Sequence, residues 1–251
     1  METRPILLRS ILIFVLAGLL IGLQAGSAQA ISDIVISQIY GGGGNSGATY
    51  KNDFIELFYR GTTSISITGW SVQYASATGT GLFSNAMTPL SGTLVPGQYY
   101  LIQEAAGSGG TVSLPTPDAT GTIAMSATGA KVALVDTTTG LACNGGSTPC
   151  SPAQLAEIMD LVGWGDANFF EGSGPGPTTS NTTSLLRING GLQDTDNNSI
   201  DFGVGVPTPR NTASPLNPPI PTAVPEPMTM LLLGSGLIGL AGYGRRKFFK
   251  K

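Results

Sequence analysis

Histidine is absent from this 251-residue chain, and its absence bounds the chemistry before any motif is sought. There can be no Ser-His-Asp or Cys-His nucleophile, no His-Glu-x-x-His zinc site and no His-ligated haem. Two cysteines, Cys143 and Cys150, are too few for a four-thiolate metal site. No Gly-x-Ser-x-Gly nucleophile elbow occurs. The one remaining constellation with metal-ligand spacing runs from Asp194 to Asp201. Asp194, Asp196 and Asn198 follow the D-x-D-x-N spacing that turns oxygens toward one centre, with Asp201 three residues on. These four are a candidate Ca²⁺ set, although Ser199 stands where a calcium loop has Gly and no Glu follows at the twelfth position. The alternative is an Asx-rich turn whose carboxylates cap backbone N–H groups. Gly42 to Gly47 fits G-x-G-x-x-G, but the next element is a strand, so no helix N-terminus awaits a phosphate and a flexible surface loop is expected. Asp53 and Glu56 lie three apart in an extended run, hence on opposite faces, and make no paired-carboxylate site.

The elements that would position these residues are short and β-rich. Hydrophobic residues make up 41% and charged residues 11% of the chain, and Gly numbers 36, a composition too apolar for disorder and too glycine-rich for a helical bundle. Alternating patterns predict strands over 33–40, 53–59, 64–68, 70–74, 99–103, 131–136, 158–163 and 183–188, separated by Gly, Pro, Asn and Ser clusters. One short helix is expected after Ser151 as N-cap and Pro152 as first residue. The fold class expected is all-β, a sandwich or barrel with long Gly/Ser/Thr loops. Phe54, Leu57 and Trp70 are its candidate core, with the Trp70 ring between the sheets and Gly69 supplying a bend.

The two ends read as addresses. Arg4 and Arg9, the apolar run 11–23 and Ala28-Gln29-Ala30 have the order of a secretory signal peptide, cut by signal peptidase after Ala30; a retained anchor is the alternative. Export favours a Cys143–Cys150 disulfide over a reactive thiol pair. A second apolar run, 228–244, is long enough to span a thin bilayer. Arg245, Arg246, Lys247, Lys250 and Lys251 after it would stay cytoplasmic, leaving everything before the helix outside the inner membrane. Eight of the seventeen prolines fall between Pro207 and Pro227, so 211–224 is expected to be a semi-rigid spacer. The expected organisation is therefore signal peptide 1–30, sandwich 31–210, linker 211–224 and sorting segment 225–251. Between 31 and 224 five basic residues face thirteen acidic ones, a net charge of -8 that disfavours direct nucleic-acid binding.

Pro225-Glu226-Pro227, the Gly-rich apolar run and the basic end resemble the PEP-CTERM sorting signal. The resemblance implies processing by an exosortase, a membrane-embedded cysteine protease, near Pro225-Glu226-Pro227, in a Gram-negative bacterium that makes exopolysaccharide. Phe54-Ile55-Glu56-Leu57, then Ile65-Ser66-Ile67 and Gly69-Trp70-Ser71-Val72, resemble the core of the lamin-tail domain, and several loops between about 33 and 212 are similar to its bacterial exported branch. That resemblance implies an immunoglobulin-like β-sandwich with no catalytic residues of its own. Three functional expectations follow. The chain is a non-enzymatic module at the cell surface or in the extracellular matrix, binding exopolysaccharide or surface proteins; or it assists an exported nuclease or hydrolase in trans; or, as an enzyme, it uses metal-assisted hydrolysis at the Asp194 cluster.

Overall fold

A computed structural model describes residues 33–217. The expected cleavage site at Ala30, the Pro225-Glu226-Pro227 motif and the apolar run 228–244 lie outside the described residues. Among the described residues no helix is long and apolar enough to cross a membrane.

The strands are β1 (Ile34–Tyr40), β2 (Asn52–Tyr59), β3 (Ile65–Ser66), β4 (Ser71–Ser76), β5 (Met87–Pro89), β6 (Thr93–Leu94), β7 (Tyr99–Ala106), β8 (Ala119–Thr120), β9 (Ala130–Val135), β10 (Ile158–Trp164), β11 (Ser184–Arg187) and β12 (Phe202–Gly205). They form a six-stranded sheet in the order β12-β11-β1-β2-β7-β8, a four-stranded sheet β10-β9-β4-β5 and a small β3-β6 pair. All pairings are antiparallel except β7 with β8.

Ile36, Ile55, Leu57 and Ile102 on the larger sheet meet Val72, Val132, Leu134 and Val162 on the smaller one. This is the sandwich core. A bulge in β1 between Ile36 and Gln38 adds one residue against β2 and switches the inward parity, so Ile34 and Ile36 are followed inward by Ile39. The outer face of the larger sheet is covered too. Val35, Phe58 and Tyr99 form one buried cluster there, and Tyr40, Phe54 and Leu101 another. That is why residues on both faces of β1 and β2 are buried. Phe54 is thus buried outside the inter-sheet core and Leu57 within it.

Two sequence expectations are corrected. Trp70 lies in a turn, its N–H bonded to Ile67 O at 3.1 Å, and packs only partly buried against the rim of the core. The tryptophan between the sheets is Trp164, 1% exposed, because β10 continues one residue further inward than the apolar run suggested. Gly69 does make the expected bend, at φ +92°. The Gly42–Gly47 loop is also not a free surface loop. Gly41, Gly42 and Gly44 are buried, and a Cβ on Gly43 would stand 1.9 Å from the Asn52 carbonyl carbon. Glycine is needed there for close backbone approach.

The expected short helix is present as α1 (Pro152–Ala156), with the Ser151 Oγ accepting from Gln154 N and the Gln154 side chain accepting from Ser151 N. A second helical turn, α2 (Asn198–Asp201), leads into β12. Cys143 and Cys150 form a disulfide, Cα–Cα 5.0 Å.

Candidate functional site

The densest group of charged side chains is buried where β1, β10 and β11 meet. β11 turns Leu185 into the core and Arg187 beside it, two residues on and on the same face. Its guanidinium is fully enclosed. Arg187 Nη2 donates to both Asp160 oxygens at 2.9 and 2.8 Å, Nη1 to Asp194 Oδ1 at 2.9 Å, and Nε to the Ile36 carbonyl at 2.8 Å. The Phe202 ring lies 4.5 Å below the guanidinium carbon. Asp160 also accepts from Ile36 N. A 3-10 turn over 188–191, with Asn189 and Gly190 in left-handed backbone (φ +56° and +66°), reverses the chain and returns Asp194 to Arg187. Arg60, from the end of β2, closes the group by donating to Asp194 Oδ2 at 2.9 Å.

The four expected calcium ligands are placed on separate tasks. Asp194 is held by two arginines. Asp201 accepts from Thr195 N at 2.8 Å, Thr195 Oγ1 at 2.9 Å and Asn197 N at 3.3 Å, the capping role of an Asx-rich turn. Asn198 points inward, accepting from Gly163 N and Glu171 N and donating to Leu161 O and Glu171. Asp196 is exposed, with left-handed backbone at φ +52°. The carboxylate oxygens that do approach one another, within 4.8 Å, belong to Asp160, Glu171 and Asp194. Arg187 bonds two of these three. Its fixed charge and planar donors do there what a bound cation would do, so the donor set fits an arginine brace better than a metal. Burial, with repulsion from Asp160, pushes the Glu171 carboxyl up to about 9.

Charged side chains buried elsewhere, Glu56, Asp53, Glu104 and Lys131, hold covering segments in place. Glu56 points outward from β2, away from Asp53 as expected. It accepts from Ser37 Oγ, and from Arg210 N, Nε and Nη2 at 2.7, 3.2 and 2.8 Å. At the far end of the inner face, Asp53 accepts from Gly43 N and Met125 N, and Glu104 from Ile123 N, so two carboxyls hold the stretch 121–126 across the mouth of the sandwich. Burial pushes both to about 7. Lys131, inside β9, donates to Asn144 O and Asn168 Oδ1, both at 2.8 Å. Asn144 belongs to the disulfide loop and also bonds Gly79, Gly81, Gly146, Ser147 and Thr148. Burial lowers the Lys131 pKa.

Sequence reasoning overlooked Asp160, Glu171, Arg187, Glu104 and Lys131. The signal was present for two of them. Lys131 precedes Val-Ala-Leu-Val and Asp160 precedes Leu-Val, charged residues inside apolar strand runs, which burial permits only with partners.

Residues 27–165, more than half of the chain, match the model of the Lamin Tail Domain. The chain belongs to the lamin-tail domain family. Its fold is accordingly the immunoglobulin-like all-β sandwich. A second model, the PEP-CTERM protein-sorting motif, matches residues 223–247. The protein is therefore exported and sorted through a membrane-anchored intermediate, with processing by an exosortase. A crystal structure of a DUF4876 family protein from Bacteroides thetaiotaomicron is similar at 14% identity, with a TM-score of 0.47, over 74% of this chain and 75% of that one. Among curated proteins nothing matches.

The lamin-tail match ends at 165, yet the sandwich runs on through β11 and β12 to residue 217. The arginine brace lies across that seam. Ile36, Arg60 and Asp160 are within the matched stretch, and Glu171, Arg187, Asp194 and Asp201 are beyond it. What the cluster does is fasten the family core to the strands that complete its larger sheet.

Proposed function

We propose that this lamin-tail protein is a non-enzymatic display module of the cell surface or extracellular matrix of a Gram-negative bacterium, binding exopolysaccharide or surface proteins through its loops. The observation that carries the reading is the use made of its buried charges. Arg187, Asp160, Asp194, Glu56 and Lys131 are each bonded to other groups of the fold itself. Chemistry needs polar groups free to meet a substrate. The exposed loops instead offer Asn45, Ser46, Thr78, Thr80, Thr138 and Thr139, short neutral side chains suited to adaptable hydrogen bonding. The module needs no metal in this reading, because Arg60 and Arg187 already neutralise Asp194. Adding Ca²⁺ to the purified protein should leave its melting temperature unchanged, and a clear rise would restore a calcium site.

The test of display is fractionation of the host with and without its sorting protease. The processed chain should appear with the surface or matrix fraction only when the protease is present. Full-length protein persisting at the inner membrane in both strains would replace the proposal with a plain anchored one.

A further inference from the structure

After β12 the chain does not leave the domain. Residues 211–217, expected to open the spacer, remain bonded to it, and 208–217 together cross the outer face of the larger sheet from strand to strand. Thr208 exchanges bonds with the Gln38 side chain of β1, N to Oε1 at 2.8 Å and Nε2 to O at 3.1 Å. Arg210 meets Glu56 of β2 and stacks over Tyr99 of β7, 3.6 Å from ring centroid to guanidinium carbon. Thr212 donates its N and Oγ1 to Asp118, beside β8, and its carbonyl accepts from Gln98. Asn211 Nδ2 donates to Thr116 O, and Asn217 donates N to Gly97 O and Nδ2 to the Tyr99 hydroxyl.

The direction of this segment decides how it carries load. A strand in a sheet shares a ladder with its neighbour, and when it is pulled along its length the bonds are strained together. Residues 208–217 run across the strands and are fastened mostly by side chains, one site after another. Pulled from its C-terminal end, such a segment loads Asn217 first, then Thr212, then Arg210, then Thr208. Each site opens alone; a neutral hydrogen bond contributes only about 1 kcal/mol net, and the Arg210–Glu56 pair is the strongest of the sites. At the other end of the domain the load enters β1, which is flanked on both sides by β11 and β2 and resists as a block.

We propose that residues 208–217 are a releasable clamp, an extensible element that peels from the Glu56–Tyr99–Asp118 seam under tension on the C-terminal side while the sandwich stays folded. Ten residues drawn out supply about 35 Å of chain. The physiological use rests on the reading that the chain is held by its tail while the domain is displayed, because only a held tail puts tension on this end. A displayed domain could then follow a moving partner over that distance without losing its core.

The experiment is single-molecule pulling of the full chain in detergent with handles at both ends, which tests the clamp whether or not the cell holds the tail. A small step of at most about 35 Å should precede the main rupture, at lower force. Thr212→Ala and, separately, Asn217→Ala should lower the force of that step or abolish it and leave the main rupture where it was. Amide hydrogen exchange on the resting full chain should show Arg210 and Thr212 N–H exchanging well ahead of those in β1 and β2. A single rupture with no earlier step overturns the proposal. So does a first step that neither variant alters, a main rupture that moves with it, or strap amides that exchange in step with the core. Failure of the host fractionation would remove the tail-held setting and leave the clamp standing, which separates the two results.

Discussion

Arg187 shows how a single side chain can be indispensable without touching a ligand. Its charge is fully enclosed and matched by Asp160 and Asp194, and an enclosed pair of this kind adds little net stability when intact. Breaking it is another matter. Arg187→Ala should destabilise the protein by about 3–5 kcal/mol, since Asp160 is left buried without its partner and Asp194 keeps only Arg60. Replacing Arg187 and Asp160 together with apolar residues should cost much less, and urea titration of the two variants beside the parent protein checks the comparison. The tryptophans give a second contrast. Trp164→Ala should cost about 3–5 kcal/mol, while Trp70→Ala, at the rim, should fall clearly below that range. Equal losses at the two positions would contradict the placement of Trp164 as the inter-sheet ring.

At the scale of elements, the covering segments explain more than the strands do. The disulfide loop lies over Lys131 and supplies one of its two acceptors through Asn144 O. Cys143→Ser with Cys150→Ser removes a small loop closure and should cost about 2–3 kcal/mol, most of it local. The same variant should make Lys131 reactive toward an amine-directed label, read by mass spectrometry, where the parent protein is protected. The glycine loop after β1 is equally strict. Gly43→Ala should be strongly destabilising, because the added methyl meets the Asn52 main chain rather than a side chain that can move.

Across the whole molecule the buried carboxyls set the response to pH. Asp53 and Glu104 titrate near 7 and Glu171 near 9 in the folded protein, all above their ordinary values, with burial as the main cause. A carboxyl with a raised folded pKa holds its proton longer in the native state than in the unfolded chain. The stability it contributes is complete below the unfolded pKa, near 4, and declines as pH rises through the folded one. These groups should therefore make the protein more resistant to urea at pH 5.5 than at pH 8. Asp53→Asn and Glu104→Gln should each flatten that slope. An opposite slope in the parent protein would show that other groups dominate.

Much of this organisation is legible in the chain itself. The positions of eight of the twelve described strands follow from apolar patterning, the helix after Ser151 from its cap and proline, and the disulfide from export together with a loop that can close, while β5, β6, β8 and β12 carried no such pattern. The C-terminal sorting signal was also readable, because it depends on local pattern and composition. The exceptions depend on contacts between distant segments. A bulge in β1 shifts which residues face inward, loops cover the outer face of the larger sheet, and a ten-residue segment with the proline content of a spacer is fastened to Glu56 and Asp118. Asp194 is the sharpest case. Its spacing to Asp196 and Asn198 suits a cation, and residues as far away as Arg60 provide one as a side chain. Local sequence determines which groups are available and which backbone they favour, but the partner that satisfies a buried charge is chosen only when the sheets close.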